Sequence, residues 1–170
     1  MRVGKFEKVS FKNFKNCAVN FGLVLEENDD EIRNTYNEIK IPHRGTPGSA
    51  GYDFSSPFNI ILPPGKTIVI PTGIRVWIDS EWVLQLFPRS SYGFKYKMSL
   101  DNTVGIIDSD YYYADNEGHI MAKITNHGDE TLKIAAGDRF VQGIFIQYGL
   151  AQNDIVDSGK RSGGIGSTGK

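Results

Sequence analysis

The sequence predicts an all-β domain, a sandwich or a barrel, on three observations. From residue 41 onward the apolar runs are short, turn signals separate them at spacings of roughly 8–12 residues, and no long helical crossover interrupts them. Ile74, Val76 and Ile78 alternate strictly with other residues, which is the two-residue period of a half-buried strand. Without helices between strands, a doubly wound parallel sheet is excluded.

The elements follow in order. Residues 3–14 mix apolar and basic side chains and have room for a strand. In NDDEIRNTYNEIK, Ile32, Tyr36 and Ile39 recur at i, i+4 and i+7. That spacing predicts a short amphipathic helix of roughly ten residues, with Asn28 or Asp29 as its cap. Strands are then expected in FNIIL at 58–62, TIVIP at 67–71, 74–78, VLQLF at 83–87 and VGII at 104–107. Further strands are expected in HIMAKIT at 119–125, TLKI at 131–134 and RFVQGIFIQ at 139–147, with Gly137-Asp138 as a hairpin turn between the last two. The last thirteen residues, SGKRSGGIGSTGK, cannot pack a core. They read either as a disordered tail or as an arm that orders on an anionic ligand.

Composition removes several function classes. The formal net charge is -1, whereas a protein bound to duplex nucleic acid by charge needs a strongly basic surface. A lone cysteine, Cys17, rules out an intramolecular disulfide, and the three histidines are too far apart for a zinc spacing. No run approaches the roughly 18 apolar residues of a membrane span, and the opening MRVGKFEKVSF lacks a secretion-signal core. A reducing, cytoplasmic setting is expected.

Four clusters carry chemistry. Phe87-Pro88-Arg89-Ser90-Ser91 puts a guanidinium and two hydroxyls at a strand end, a donor set suited to phosphate oxygens, although a solvated arginine beside a Ser-Ser turn is also common. In Asp101 to Tyr111, Val104 to Ile107 read as a buried strand from which Asp108 emerges. A carboxylate leaving apolar surroundings suits a general base toward water; a turn aspartate capping a strand is the plainer alternative. Asn102 offers both a donor and an acceptor, matching the mixed edge of a pyrimidine. Ser49-Ala50-Gly51-Tyr52-Asp53-Phe54 sets a single acid after small residues, and Ala136-Gly137-Asp138-Arg139-Phe140-Val141-Gln142 surrounds the turn.

Taken in order, SAGYDF, FPRSS, NTVGIIDSDY, AAGDRFVQ and RSGGIGSTG resemble the five motifs of the trimeric dUTPase family, across roughly residues 41–170. The resemblance implies a jelly-roll-like β-barrel over residues 1–160, with 1–40 as an elaboration bearing a short helix. Residues 161–170 would be an arm closing a neighbouring subunit's site. The implied reaction is hydrolysis of dUTP to dUMP and pyrophosphate, which limits uracil in DNA and supplies dUMP for dTMP synthesis. By the same resemblance Asp108 activates the attacking water. Asn102, with main-chain groups of a 102–107 hairpin that includes Gly105 and Ile107, holds uracil, and Tyr111 presses on the deoxyribose. Arg89, Ser90, Ser91 and Gln142 contact phosphates, as do Arg161, Ser167 and Thr168 of the arm, with Ile165 and Gly166 covering the base. Asp53 and Asp138 support the site from behind. Mg2+ is expected on the triphosphate and waters, without a protein cage. The assembly is expected to be a homotrimer with sites at subunit interfaces.

Two departures from the family pattern stand out. Ile165 takes the place of the usual phenylalanine, and residues 112–119 form a lengthened loop. Rival readings attach to other residues. Glu117-Gly118-His119-Ile120 is similar to the catalytic stretch of dCTP deaminases, a related fold, which would make the protein a deaminase or a bifunctional dCTP deaminase/dUTPase, although Glu117 reads here as a strand-start residue. Residues 1–40 and the 112–119 loop would be the docking surfaces of a non-catalytic, protein-binding regulator.

Overall fold

The computed structural model of the chain describes residues 1–25, 29–156 and 163–164. Twelve strands dominate it. In chain order they are β1 (Gly4–Lys8), β2 (His43–Arg44), β3 (Tyr52–Ser55), β4 (Ile60–Leu62), β5 (Thr67–Pro71) and β6 (Ile74–Ile78). Then come β7 (Trp82–Pro88), β8 (Met98–Leu100), β9 (Gly105–Ile107), β10 (Met121–Asn126), β11 (Leu132–Ile134) and β12 (Arg139–Gln147). The all-β, jelly-roll-like expectation holds.

Strands adjacent in sequence mostly pair elsewhere. The sheet orders are β1-β6, β5-β10-β8, β11-β4 and β2-β3-β12-β7-β9. All pairings are antiparallel. Alternating burial runs along β4, β6, β9 and β11, so each turns one apolar row inward. These rows meet in one core with Phe54, Ile70, Leu84, Ile124 and Phe140.

The first forty residues differ from expectation. The strand expected within residues 3–14 is present as β1, but it ends at Lys8, and helix α1 (Phe11–Asn20) starts behind the N-cap Ser10, whose Oγ accepts from the Asn13 N–H. The expected helix is α2 (Asp29–Glu38), with three acids in its first turn where the helix dipole favours them. Asn28, one of its two expected caps, lies outside the described residues. Val9, Phe14, Ala18 and Ile32 are buried in the same core as the strands, and Phe14 stacks on Phe58 at 5.7 Å between ring centres. The N-terminal segment is therefore packed into the barrel.

Two expected hairpins are corrected. β8 pairs with β10 and β9 with β7, so residues 101–104 carry the chain from one sheet to another. Likewise Ala135 to Asp138 form a tight turn, closed by Asp138 N–H to the Ala135 carbonyl at 3.0 Å or less (2.9 Å), with Gly137 at φ 88°. That turn joins β11 and β12, which lie in different sheets. A third helix not read from sequence, α3 (Ser90–Tyr96), follows β7 and ends at Lys97 in the left-handed region.

Candidate active site

Register across the five-stranded sheet builds the first part of the site. Gln142 of β12 lies opposite Asp53 of β3 on one side and Phe87 of β7 on the other. Directly opposed residues share a face, so Asp53 and Gln142 point the same way. Beyond β7 the chain turns at Arg89 into α3, and the Arg89 N–H donates to the Phe140 carbonyl at 3.0 Å, which ties the turn to β12. The result is a cleft of about 490 Å³ lined by Ser49, Gly51, Asp53, Arg89, Ser90, Ser91, Arg139 and Gln142. Three of the four sequence clusters converge there.

Asp53 organises the charge in this cleft. Its carboxylate lies 3.1 Å from Arg89 Nε and 3.0 Å from Arg139 Nη1, with the Asp53 side chain 11 % exposed. Arg89 Nη1 also donates to the Arg139 carbonyl at 3.2 Å. One carboxylate thus fixes two guanidiniums that would otherwise repel, leaving a local excess of positive charge beside two hydroxyls and an amide. That combination binds phosphate oxygens. Arg139 was not singled out from sequence. Strand pairing is what reveals it: its register partner is Ser55 of β3, two residues from Asp53.

Asp138 makes its contact within the turn that leads into β12. Its Oδ2 accepts from the Ala135 N–H at 2.9 Å, so the side chain closes the turn, and the neighbour Arg139 reaches Asp53. Gln142 is held close to backbone: a Cβ placed on Gly51 would stand 2.4 Å from its Oε1. Glycine at 51 is what leaves room for that amide.

The second part of the site lies on the opposite face. Leu86 precedes Phe87 and points the other way, with Gly105 of β9 across from it. A Cβ on Gly105 would come within 3.1 Å of Leu86, so small size at 105 lets the two strands close. Here a narrow cleft of about 90 Å³ is lined by Leu86, Leu100, Asn102, Gly105, Ile107, Tyr111 and Gly164. Asn102 and Thr103 are exposed in the turn above it, and Thr103 sits at φ 62°, a costly backbone state for a β-branched residue. Tyr111 is buried on a 3-10 turn (Asp110–Tyr113), and a Cβ on Gly164 would meet its ring at 2.8 Å.

Asp108 follows Ile107 directly and is exposed in the single chain. The buried strand expected before it is one-sided: Gly105 and Ile107 are buried, while Ile106 is 46 % exposed. The apolar surroundings expected around Asp108 are therefore not supplied within one chain. Arg161, Ile165, Gly166, Ser167 and Thr168 lie outside the described residues.

Glu117 does not start a strand. It stands in a turn at φ 59°, and its carboxylate accepts from Ser10 N–H at 2.7 Å and Ser10 Oγ at 2.5 Å, capping α1. Burial pushes its pKa up, but the Ser10 hydrogen bonds and the nearby Arg75 and His119 outweigh this and hold it below the ordinary value. It lines neither cleft. Among the described residues no three of His, Cys, Asp and Glu converge as a metal cage, and no helix is long and apolar enough to cross a membrane.

Comparison with known proteins gives a consistent result. The dUTPase family model matches residues 37–169. Over 133 residues the chain is 41 % identical to the deoxyuridine 5'-triphosphate nucleotidohydrolase of Lactococcus lactis, covering 77 % of this chain and 89 % of that protein. The crystal structure of the Streptococcus mutans dUTPase superposes with a TM-score of 0.65 at 32 % identity, over 87 % of this chain and 98 % of that one. A variant of the dUTPase from phage phi11 of S. aureus, in which a structural Mg(II) ion is coordinated, has a TM-score of 0.62 over 92 % of this chain and 98 % of its own. At 18 % identity that last likeness is one of fold.

Proposed function

The chain belongs to the dUTPase family, and from that premise we propose that its two clefts are the halves of an active site completed between subunits. The protein is a dUTP nucleotidohydrolase, releasing dUMP and pyrophosphate. The observation that carries the two-half reading is the register: Gln142 and Asp53 face one side of the β3-β12-β7 sheet, whereas Leu86 and Gly105 face the other. A single nucleotide cannot touch both faces of one sheet, but neighbouring copies, as in a homotrimer, can bring them together.

In this reading the narrow cleft takes the uracil and deoxyribose. Asn102 supplies donor and acceptor to the base edge, and Tyr111 fills the space a 2′-hydroxyl would need. A partner copy presents the wider cleft, where Arg89, Ser90, Ser91 and Gln142 hold the triphosphate, with Arg139 adding charge. Asp108 takes a proton from water, which attacks the α-phosphorus as the bond to the bridging oxygen breaks. Exposure of Asp108 in the single chain fits this reading, since a neighbouring copy and the bound nucleotide would cover it. The arm, from Arg161 onward, would close over the nucleotide and exclude bulk water.

Arginines, serines and an amide make the wider cleft a phosphate-binding set. Magnesium would come with the triphosphate and its waters, where it would offset charge on the departing pyrophosphate. A cytoplasmic setting follows from the substrate, a charged nucleotide made and used inside cells.

Purified protein incubated with dUTP, dCTP and UTP plus magnesium tests the assignment, with pyrophosphate and ammonia followed separately. Pyrophosphate from dUTP is expected, reduced by about 10²–10⁴-fold in Asp108→Asn. Ammonia from dCTP, lost in Glu117→Gln, would overturn it. The capping of α1 by Glu117 speaks against that deaminase reading.

A further inference from the structure

The family match begins at residue 37, yet residues before it hold the loop that carries Tyr111. Asn13 on α1 donates from Nδ2 to the Asn116 carbonyl at 3.0 Å. Its Oδ1 lies 2.8 Å from His119 Nδ1. His119 is fully buried and its Nε2 accepts from the Gly73 N–H at 2.9 Å, so the ring proton sits on Nδ1, directed at Asn13. Tyr112 OH donates to Glu7 of β1 at 2.6 Å, under an Arg75 guanidinium 4.4 Å from the Tyr112 ring centre. The lengthened loop and the N-terminal segment are thus bound to one another at several points.

Within the loop, Asn116 Nδ2 donates to the Tyr111 hydroxyl at 2.7 Å, and that hydroxyl donates to the His119 carbonyl at 2.7 Å. The phenol is gripped from both sides. Gly118, at φ 67°, lets the loop backbone pass beneath Tyr111, where a Cβ would stand 2.7 Å from its carbonyl oxygen.

We propose that Asn13 and Asn116 are positioning residues for Tyr111, so that α1, an element outside the family match, forms part of the device that selects 2′-deoxyribose over ribose. The proposal rests on the reading of Tyr111 as the sugar-facing residue. Selection by filled space works only if the filling group cannot yield; a ring that swings aside by about 1 Å makes room for the extra hydroxyl. An aromatic ring anchored at its base alone can swing. One held at the hydroxyl by a donor and an acceptor cannot do so without breaking both bonds, and Asn13 keeps the donor in place by holding its backbone.

The test compares kcat/KM for dUTP and UTP, with thermal melts on every variant. Asn116→Ala and Asn13→Ala are each expected to lower the dUTP-to-UTP ratio by about five- to tenfold, with kcat for dUTP changed by less than about twofold. Tyr111→Phe, which keeps the ring and loses the hydroxyl, should lower the dUTP-to-UTP ratio by a similar factor, and Asn116→Ala should lower it no further in the Tyr111→Phe background. Additive losses, or lowered melting temperature with an intact ratio, would overturn the positioning role. Tyr111→Ala separates the two levels: if it too leaves the ratio intact, the reading of Tyr111 fails and the proposal with it. A ratio that falls in Tyr111→Ala but holds in Asn116→Ala and Asn13→Ala sinks the positioning alone.

Discussion

Gly51 shows how a residue without a side chain governs one with chemistry. The missing Cβ leaves the space in which the Gln142 amide sits. Gly51→Ala should therefore displace that amide from the phosphate-binding cleft. Steady-state kinetics should give a KM for dUTP raised by about tenfold, with melting little changed because the displaced group is the end of a flexible side chain. His119 carries a prediction of the opposite kind, on stability. Burial pushes its pKa from 6.5 down to about 4, against a smaller upward pull from Glu117. The folded protein holds the ring neutral, while the unfolded chain takes up a proton below 6.5. This contribution is present in full above that value and is lost as pH falls from 6.5 through about 4. Denaturant titrations should lose about 3 kcal/mol over that window. His119→Gln should flatten the pH dependence there while lowering stability at neutral pH.

Among the elements, α1 and the 110–120 loop depend on one another. α1 has no acid in its first turn, and the cap on Ser10 is completed by Glu117 from 107 positions away. Local pattern does not announce such a helix. Phe11, Phe14 and Ala18 do fall at helical spacing, but Asn13, Asn16 and Cys17, of modest propensity, lie among them, and tertiary contacts decide the outcome. α2 was legible because its apolar repeat and acidic first turn are both local. The loop is equally constrained. Gly118→Ala would place a methyl group against the Tyr111 and Tyr112 backbone in a left-handed conformation. A loss of about 2–4 kcal/mol is expected on chemical denaturation, since neither backbone can move without breaking the 3-10 turn.

For the molecule as a whole, the separation of the two clefts predicts complementation. Asp108→Asn and Arg89→Ala should each be inactive alone. If a site takes Asp108 from one copy and Arg89 from another, co-refolding the two variants in equal amounts should restore about a quarter of the sites. Turnover measured before and after co-refolding checks this; no recovery would mean that both residues of a site come from one chain. The sequence by itself determined the all-β class, most of the strands and the clusters from which the candidate site is built. Those rest on short-range regularities: a period of two, turn residues at strand ends, ordered motifs. It also supplied Arg89, Gln142 and Asp53, which converge as soon as β3, β12 and β7 pair. Tertiary structure alone decided the rest. Arg139 rather than Asp138 faces Asp53, residues 101–104 cross between sheets, and Glu117 is spent on a helix cap. Each of these depends on which strand or helix lies alongside, and partners 86 or 107 residues apart leave no trace in local spacing.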